Sequence, residues 1–199
     1  MRTVDERTAG LADTMQVLGD SVNTNLRVAM PGIIDSWDAA TQTATVQLAL
    51  REKLRNAGAE KDIDIPLLVD VPVIMPKAGG YLLAFTPAAG DEVLVIFGDM
   101  CIDAWWQSGG IQNQDEMRRH DLSDGFAVFG CWSQPNKPVL PTQGVRLQTE
   151  DGTTNITLTG GSVAINAAEI ALNGHVTVSD GIAITGTGTL NGAPIKTGD

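Results

Sequence analysis

The chain has 199 residues with 24 acidic and 13 basic side chains, which give a formal net charge of −11. This acidic balance argues against nucleic acid as a partner, because phosphate binding requires a basic surface. The first residues lack the apolar run of a signal peptide, and no stretch has the length of a membrane-spanning helix. We therefore expect a protein that is made and folded in a cytoplasm, with Cys101 and Cys131 as free thiols.

Residues 1–25 form the first predicted segment, a helical arm. The apolar residues Leu11, Met15, Leu18 and Val22 are spaced four, three and four apart, which is helical spacing. A stripe that narrow suits packing against copies of itself or against the next domain. The alternative is a partly ordered N-terminal arm.

Residues 26–135 form the second segment, where the pattern changes from helix to strand. Its six β runs are LRVAMPGIIDSW, TATVQLALR, DIDIPLLVDVPVIMP, YLLAFTP, DEVLVIFGD and GFAVFGCW. Six short runs separated by turn residues predict a small barrel of the OB type. The polar interval 99–125 breaks this rhythm, and we expect a helical turn in it around Ile102 to Gln107. Residues 136–144 are predicted to be an extended linker.

Residues 145–199 carry a repeat of apolar pairs whose two members are separated by one residue. This is the period of a strand, and Gly-Gly, Asn-Gly and Asp-Gly dipeptides supply turns between the pairs. The pairs are Ile156/Leu158, Val163/Ile165, Ile170/Leu172, Val176/Val178 and Ile182/Ile184. Strands this short bury little alone, so we predict that three identical chains intertwine as a β-helix with these ten side chains in the trimer core. A single-chain antiparallel sheet is the alternative.

The two histidines, His120 and His175, limit the catalytic arrangements that the chain could form. A cysteine–histidine pair would have to use one of them. We interpret His120 instead as part of a polar anchor, Arg118 to Asp121, which ties the 99–125 interval to the barrel.

Two carboxylates in the repeats, Glu169 and Asp180, are the candidates for a glycosidase pair. They fall in different strands or turns, with no aromatic platform for a sugar ring. We therefore predict that the protein is not an enzyme and has no catalytic residue, cofactor or metal site.

Several stretches of the barrel region form a distinctive set. They are NTNLRVAMPGIIDSWDAATQTATVQ, DVPVIMP, GDEVLVIFGD, and CIDAWWQSGG followed by RRHDLSDGFAVFG. As a set they resemble the N-terminal OB domain of the central spike proteins of contractile-tailed bacteriophages, over residues 20–135.

The resemblance implies a homotrimer in the virion, at the centre of the tail baseplate. Its barrel would join the baseplate hub protein, and its triple-stranded β-helix would puncture the host outer membrane when the tail contracts. Two other functions are considered: a trimeric adaptor that seats a separate tip protein, and a spike that degrades surface polysaccharide.

The C-terminus departs from that family's pattern. Many such spikes carry a His-x-His near the end, with which three chains bind one iron ion. This chain ends GTGTLNGAPIKTGD, and His175 stands alone upstream, so the iron site cannot be carried over. We expect either an apolar plug of Leu190, Pro194 and Ile195 from three chains, or a separate small protein that caps the tip.

Overall fold

The computed structural model describes residues 4–56, 59–183, 189–190 and 193–194. The chain divides into two compact units, Met1–Lys137 and Pro138–Asp199. Among the described residues, no helix combines the length and the apolar character needed to cross a membrane.

The first unit holds two α-helices and nine strands within its described residues. The helices are α1 (Val4–Asn25) and α2 (Asp103–Ser108), and the strands are β1 (Ala29–Asp38), β2 (Thr43–Leu48), β3 (Arg51–Asn56), β4 (Ala59–Asp64), β5 (Leu68–Ile74), β6 (Lys77–Ala78), β7 (Tyr81–Leu82), β8 (Glu92–Phe97) and β9 (Gly125–Val128). Both helices lie where the sequence predicts helical structure, which confirms those two predictions.

Five of these described strands close a barrel in the order β1, β2, β5, β9, β8, with β8 pairing back to β1. Alternate residues of a strand face the interior, as in β8, where Val93, Val95 and Phe97 are buried. Gly32 allows β1 to come close to the core, since a Cβ there would lie 2.6 Å from Val46 Cγ1. This closed barrel confirms the prediction of an all-β, OB-like domain. Its buried side chains are Ile34, Ala44, Val46, Leu48, Ile65, Leu68, Val71, Val93, Val95, Phe97 and Ala127.

Two of the six predicted β runs differ from the structure. In YLLAFTP only Tyr81–Leu82 is a strand, and it pairs with β6 in a hairpin outside the barrel. The run DIDIPLLVDVPVIMP is split around Pro66, so that its first part belongs to β4 and its second part to β5. Proline cannot donate a backbone hydrogen bond to a neighbouring strand, and it therefore ends strand pairing at such points.

The β3–β4 hairpin is stabilised by charge pairs. Arg51 lies opposite Asp64 and Lys53 lies opposite Asp62, and Arg51 Nε is 2.7 Å from Asp64 Oδ1. Opposite charges directly across a strand pair stabilise a sheet, although each exposed pair contributes little.

The chain leaves the barrel through a 3₁₀ turn, Gln134–Asn136, that is held by Glu92. The Glu92 carboxylate accepts hydrogen bonds from the backbone N–H of Ser133, from Ser133 Oγ at 2.7 Å and from Asn136 Nδ2 at 2.9 Å. The bond from the Ser133 backbone, followed by the others, lowers the pKa of Glu92.

The second unit contains a three-stranded sheet and a short hairpin. The sheet runs β10 (Val145–Gln148), β11 (Asn155–Thr159) and β12 (Ser162–Asn166), and the hairpin pairs β13 (Thr189–Leu190) with β14 (Ala193–Pro194). The described residues 167–183 contain no strand, which differs from the strands predicted there. A two-residue apolar pair has too few backbone groups to hold itself extended without a neighbouring strand.

Candidate functional site

A cluster of side chains in the first unit has the composition of a small metal site. One ligand atom each from Cys101, Asp103 and Asp124 lies within 4.8 Å of the others. Arg118 Nη2 occupies the space among them, 3.1 Å from Cys101 Sγ, 2.8 Å from Asp103 Oδ2 and 3.0 Å from Asp124 Oδ1. The guanidinium thus supplies the positive charge that a metal ion would otherwise provide.

Arg118 joins distant parts of the 99–125 interval to one another, because Cys101, Asp103 and Asp124 all belong to that interval. Asp124 is completely buried, accepts from Arg118 Nε at 3.1 Å and also accepts from the backbone N–H of Ile102 at 3.0 Å. The hydrogen bond from Arg118 lowers the pKa of Asp103, and the paired carboxylates, Asp124 foremost, raise the pKa of Arg118. The contacts of Arg118 therefore hold the interval itself together, and its role in tying the interval to the barrel stays a prediction.

The backbone of His120 links the same interval to Gly98, the residue that follows β8. Its N–H donates to the Gly98 carbonyl at 3.1 Å, and its Nε2 lies 3.4 Å from Asp99 Oδ1. The thiol of Cys101, by contrast, contacts Arg118. Glu169 and Asp180, the two candidates for a glycosidase pair, are exposed.

The three-stranded sheet of the second unit separates apolar from polar side chains. Directly paired residues of antiparallel strands point to the same face, and the register pairs Val145 with Leu158 and Leu158 with Val163. The next layer on that face pairs Leu147 with Ile156 and Ile156 with Ile165. The apolar face therefore consists of Val145, Leu147, Ile156, Leu158, Val163 and Ile165.

The opposite face of the sheet is polar and makes its own hydrogen bonds. Arg146 Nε donates to Thr157 Oγ1 at 2.9 Å, and Thr157 Oγ1 lies 2.9 Å from Asn155 Oδ1. Asn166 Nδ2 donates to the same Asn155 oxygen at 3.0 Å. These four side chains therefore find hydrogen-bond partners within their own face of the sheet.

The apolar face is left uncovered by the described chain. Its six side chains are between 37 and 70% exposed. A contiguous exposed apolar face of this kind is typical of a surface that another molecule covers.

One turn and one glycine hold the sheet in this register. The Asp151 carboxylate accepts from Thr149 Oγ1 at 2.6 Å and from the Thr153 backbone N–H at 3.1 Å, and so fixes the β10–β11 turn. Where β10 begins, Gly144 has a φ of 74°, and a Cβ on it would lie only 2.1 Å from the Leu158 carbonyl oxygen. Only glycine fits at that point.

The structure brings four of the ten predicted core residues together on the apolar face: Ile156, Leu158, Val163 and Ile165. It adds Val145 and Leu147, which the sequence reading missed although they are an apolar pair of the same spacing. Five others are between 48 and 70% exposed and lie in no strand: Ile170, Leu172, Val176, Val178 and Ile182. Ile184 falls outside the described residues. Their place in a trimer core stays a prediction.

The predicted tip residues are described only in part. Leu190 pairs with Ala193, and Pro194 with Thr189, in the terminal hairpin, while Ile195 lies outside the described residues. His175 is exposed and is the last histidine in the sequence. One imidazole per chain does not match a site that takes two from each chain, so the residues present do not fit the iron site of the resembled spikes.

The family model of the phage protein Gp138 N-terminal domain matches residues 30–130. The matched segment is just over half of the 199-residue chain and covers the barrel with its 99–125 interval. The chain belongs to this phage protein family. Membership in the Gp138 N-terminal domain family indicates a virion-associated function. No curated protein matches the chain.

Proposed function

We propose that this chain forms a homotrimer that serves as the central spike of a contractile phage tail. Its single strongest support is the uncovered apolar face of β10–β12, which stands opposite a polar face that makes its own hydrogen bonds. The apolar pairs that continue along residues 170–184 extend the same chemistry toward the C-terminus.

Three copies of the chain account best for what the apolar face requires. Each copy brings six Val, Leu and Ile side chains and no ring, so three faces can meet around a narrow axis. Strands intertwined between chains would give residues 167–183 the backbone partners that one chain does not provide. All lateral strand edges would then be closed.

The proposed role is mechanical. Axial load would be spread over many interchain hydrogen bonds at once while the spike passes through the host outer membrane. In this role the OB-like barrel joins the baseplate hub protein, the localisation is the tail baseplate, and no residue acts as acid, base or cofactor ligand. The Arg118-centred cluster supports a non-enzymatic role, because its polar groups are engaged with one another.

Sedimentation equilibrium of the full chain at low micromolar concentration tests the proposal. We expect about three times the 21.0 kDa chain mass, unchanged on dilution. A monomer with ordered repeats would refute the trimer. A small tail protein that co-purifies with the trimer would support the adaptor function with a separate tip protein.

A further inference from the structure

The helix α1 presents an apolar stripe that the described chain leaves uncovered. Leu11, Met15, Leu18 and Val22 are between 57 and 68% exposed. The sequence allows two partners for this stripe, the next domain or copies of the helix. Such exposure means that the barrel does not bury the stripe.

The stripe has the 3.5-residue period of a coiled coil. Steps of four, three and four place Leu11 and Leu18 at heptad positions d, and Met15 and Val22 at positions a. A helix that packs on a globular core shows a wider stripe, with three to four apolar positions in every two turns.

The positions that flank the stripe suit close contact between identical helices. Positions e and g hold the small, uncharged residues Ala12, Thr14, Gly19 and Ser21. The Thr14 hydroxyl donates to the Gly10 carbonyl of its own helix at 2.6 Å, so it needs no partner across the seam. Asp13 and Asp20 fall at position f, farthest from the seam, where copies of an acidic helix do not bring like charges together.

We propose that α1 assembles with the α1 helices of two further copies into a short, parallel, three-stranded coiled coil. The inference rests on the proposed homotrimer, which sets the number of helices and their common direction. The apolar seam spans fewer than two heptads, which is too short to hold three separate helices together. Trimerisation through the repeats raises the local concentration of the helices, so that a short seam suffices.

Cysteine cross-linking in the full-length protein tests the seam. Leu18→Cys places one thiol of each chain at the axis, and mild oxidation should give a covalent dimer on a denaturing gel, with the third chain left monomeric. The matched control is Asp20→Cys, two residues away on the outer side, which should remain monomeric. The unsubstituted chain reports any background from Cys101 and Cys131.

Each outcome of this experiment decides between the two proposals. Equal cross-linking of both variants, or an uncross-linked Leu18→Cys protein that sediments as a trimer, would overturn the coiled coil and leave the spike function standing. A monomeric unsubstituted chain would overturn both.

Discussion

A charge placed on the apolar face of the β10–β12 sheet should prevent assembly without unfolding the chain. Ile165 lies on β12, the edge strand, and is 49% exposed, so replacing it with Asp costs the single chain little. Ala164 is its neighbour on the same strand, but it faces the polar side opposite Thr157. Ile165→Asp and Ala164→Asp therefore carry the same charge on opposite faces.

The magnitude follows from the exposure of the side chain. Burying the exposed half of Ile165 is worth roughly 1 kcal/mol, and an unpaired carboxylate in an apolar contact costs several kcal/mol. We expect a loss of about 4 kcal/mol per chain, which is roughly a thousandfold in association per chain. The loss is larger in practice if the three carboxylates meet at the axis, where like charges repel.

Sedimentation equilibrium on the two variants is the assay, with near-ultraviolet circular dichroism to report the first unit, which contains all four tryptophans. Ile165→Asp should sediment as a folded single chain, and Ala164→Asp as the wild-type assembly. An Ile165→Asp protein that stays trimeric at low micromolar concentration would refute the inward assignment of this face. So would equal disruption by both variants.

Four further outcomes are expected. Arg118→Met should lower the free energy of unfolding of the first unit by about 3 kcal/mol, measured by urea denaturation, because it leaves the buried Asp124 carboxylate without its ion-pair partner; a cost below about 1 kcal/mol would contradict a stabilising role of the Arg118 cluster. Gly144→Ala should disorder the start of β10 and weaken assembly, measured by hydrogen exchange, whereas a neighbouring Gln143→Ala should not. Because the pKa of Glu92 is lowered in the folded protein, its contribution to stability is present above the ordinary value of 4.5 and is lost as pH falls through the folded value. Glu92→Gln should therefore flatten the dependence of stability on acid pH. An unchanged pH profile would count against the hydrogen bonds from Ser133 and Asn136 to Glu92. Elemental analysis of the purified assembly should find no iron, and one ion per three chains would defeat the metal-free prediction.

The barrel could be predicted from the sequence because its strands alternate in polarity. In β8 the residues Val93, Val95 and Phe97 are buried at every second position, and this pattern survives in any context. The positions of both α-helices could also be predicted from the sequence. The breaks inside the long apolar runs could not be predicted in this way. Pro66 interrupts a strand because it lacks a backbone N–H, and the β3–β4 hairpin before it forms by backbone pairing, so neither depends on the polarity pattern.

The apolar face of the second unit could be predicted only in outline. The spacing of Ile156, Leu158, Val163 and Ile165 gave strands with a common face, but the addition of Val145 and Leu147 depends on register. That register is held by the close approach of Gly144 to the Leu158 carbonyl on another strand, and by the local turn in which Asp151 accepts from Thr149 and Thr153. The cluster around Arg118 likewise joins residues 17 apart, which a motif search does not connect.

Electron cryomicroscopy of intact phage tails tests the central claim most directly. The account predicts three copies of this chain on the threefold axis at the centre of the baseplate, with the apolar side chains of residues 145–184 facing that axis. Copies located elsewhere in the virion, or a single copy per tail, would contradict the spike function.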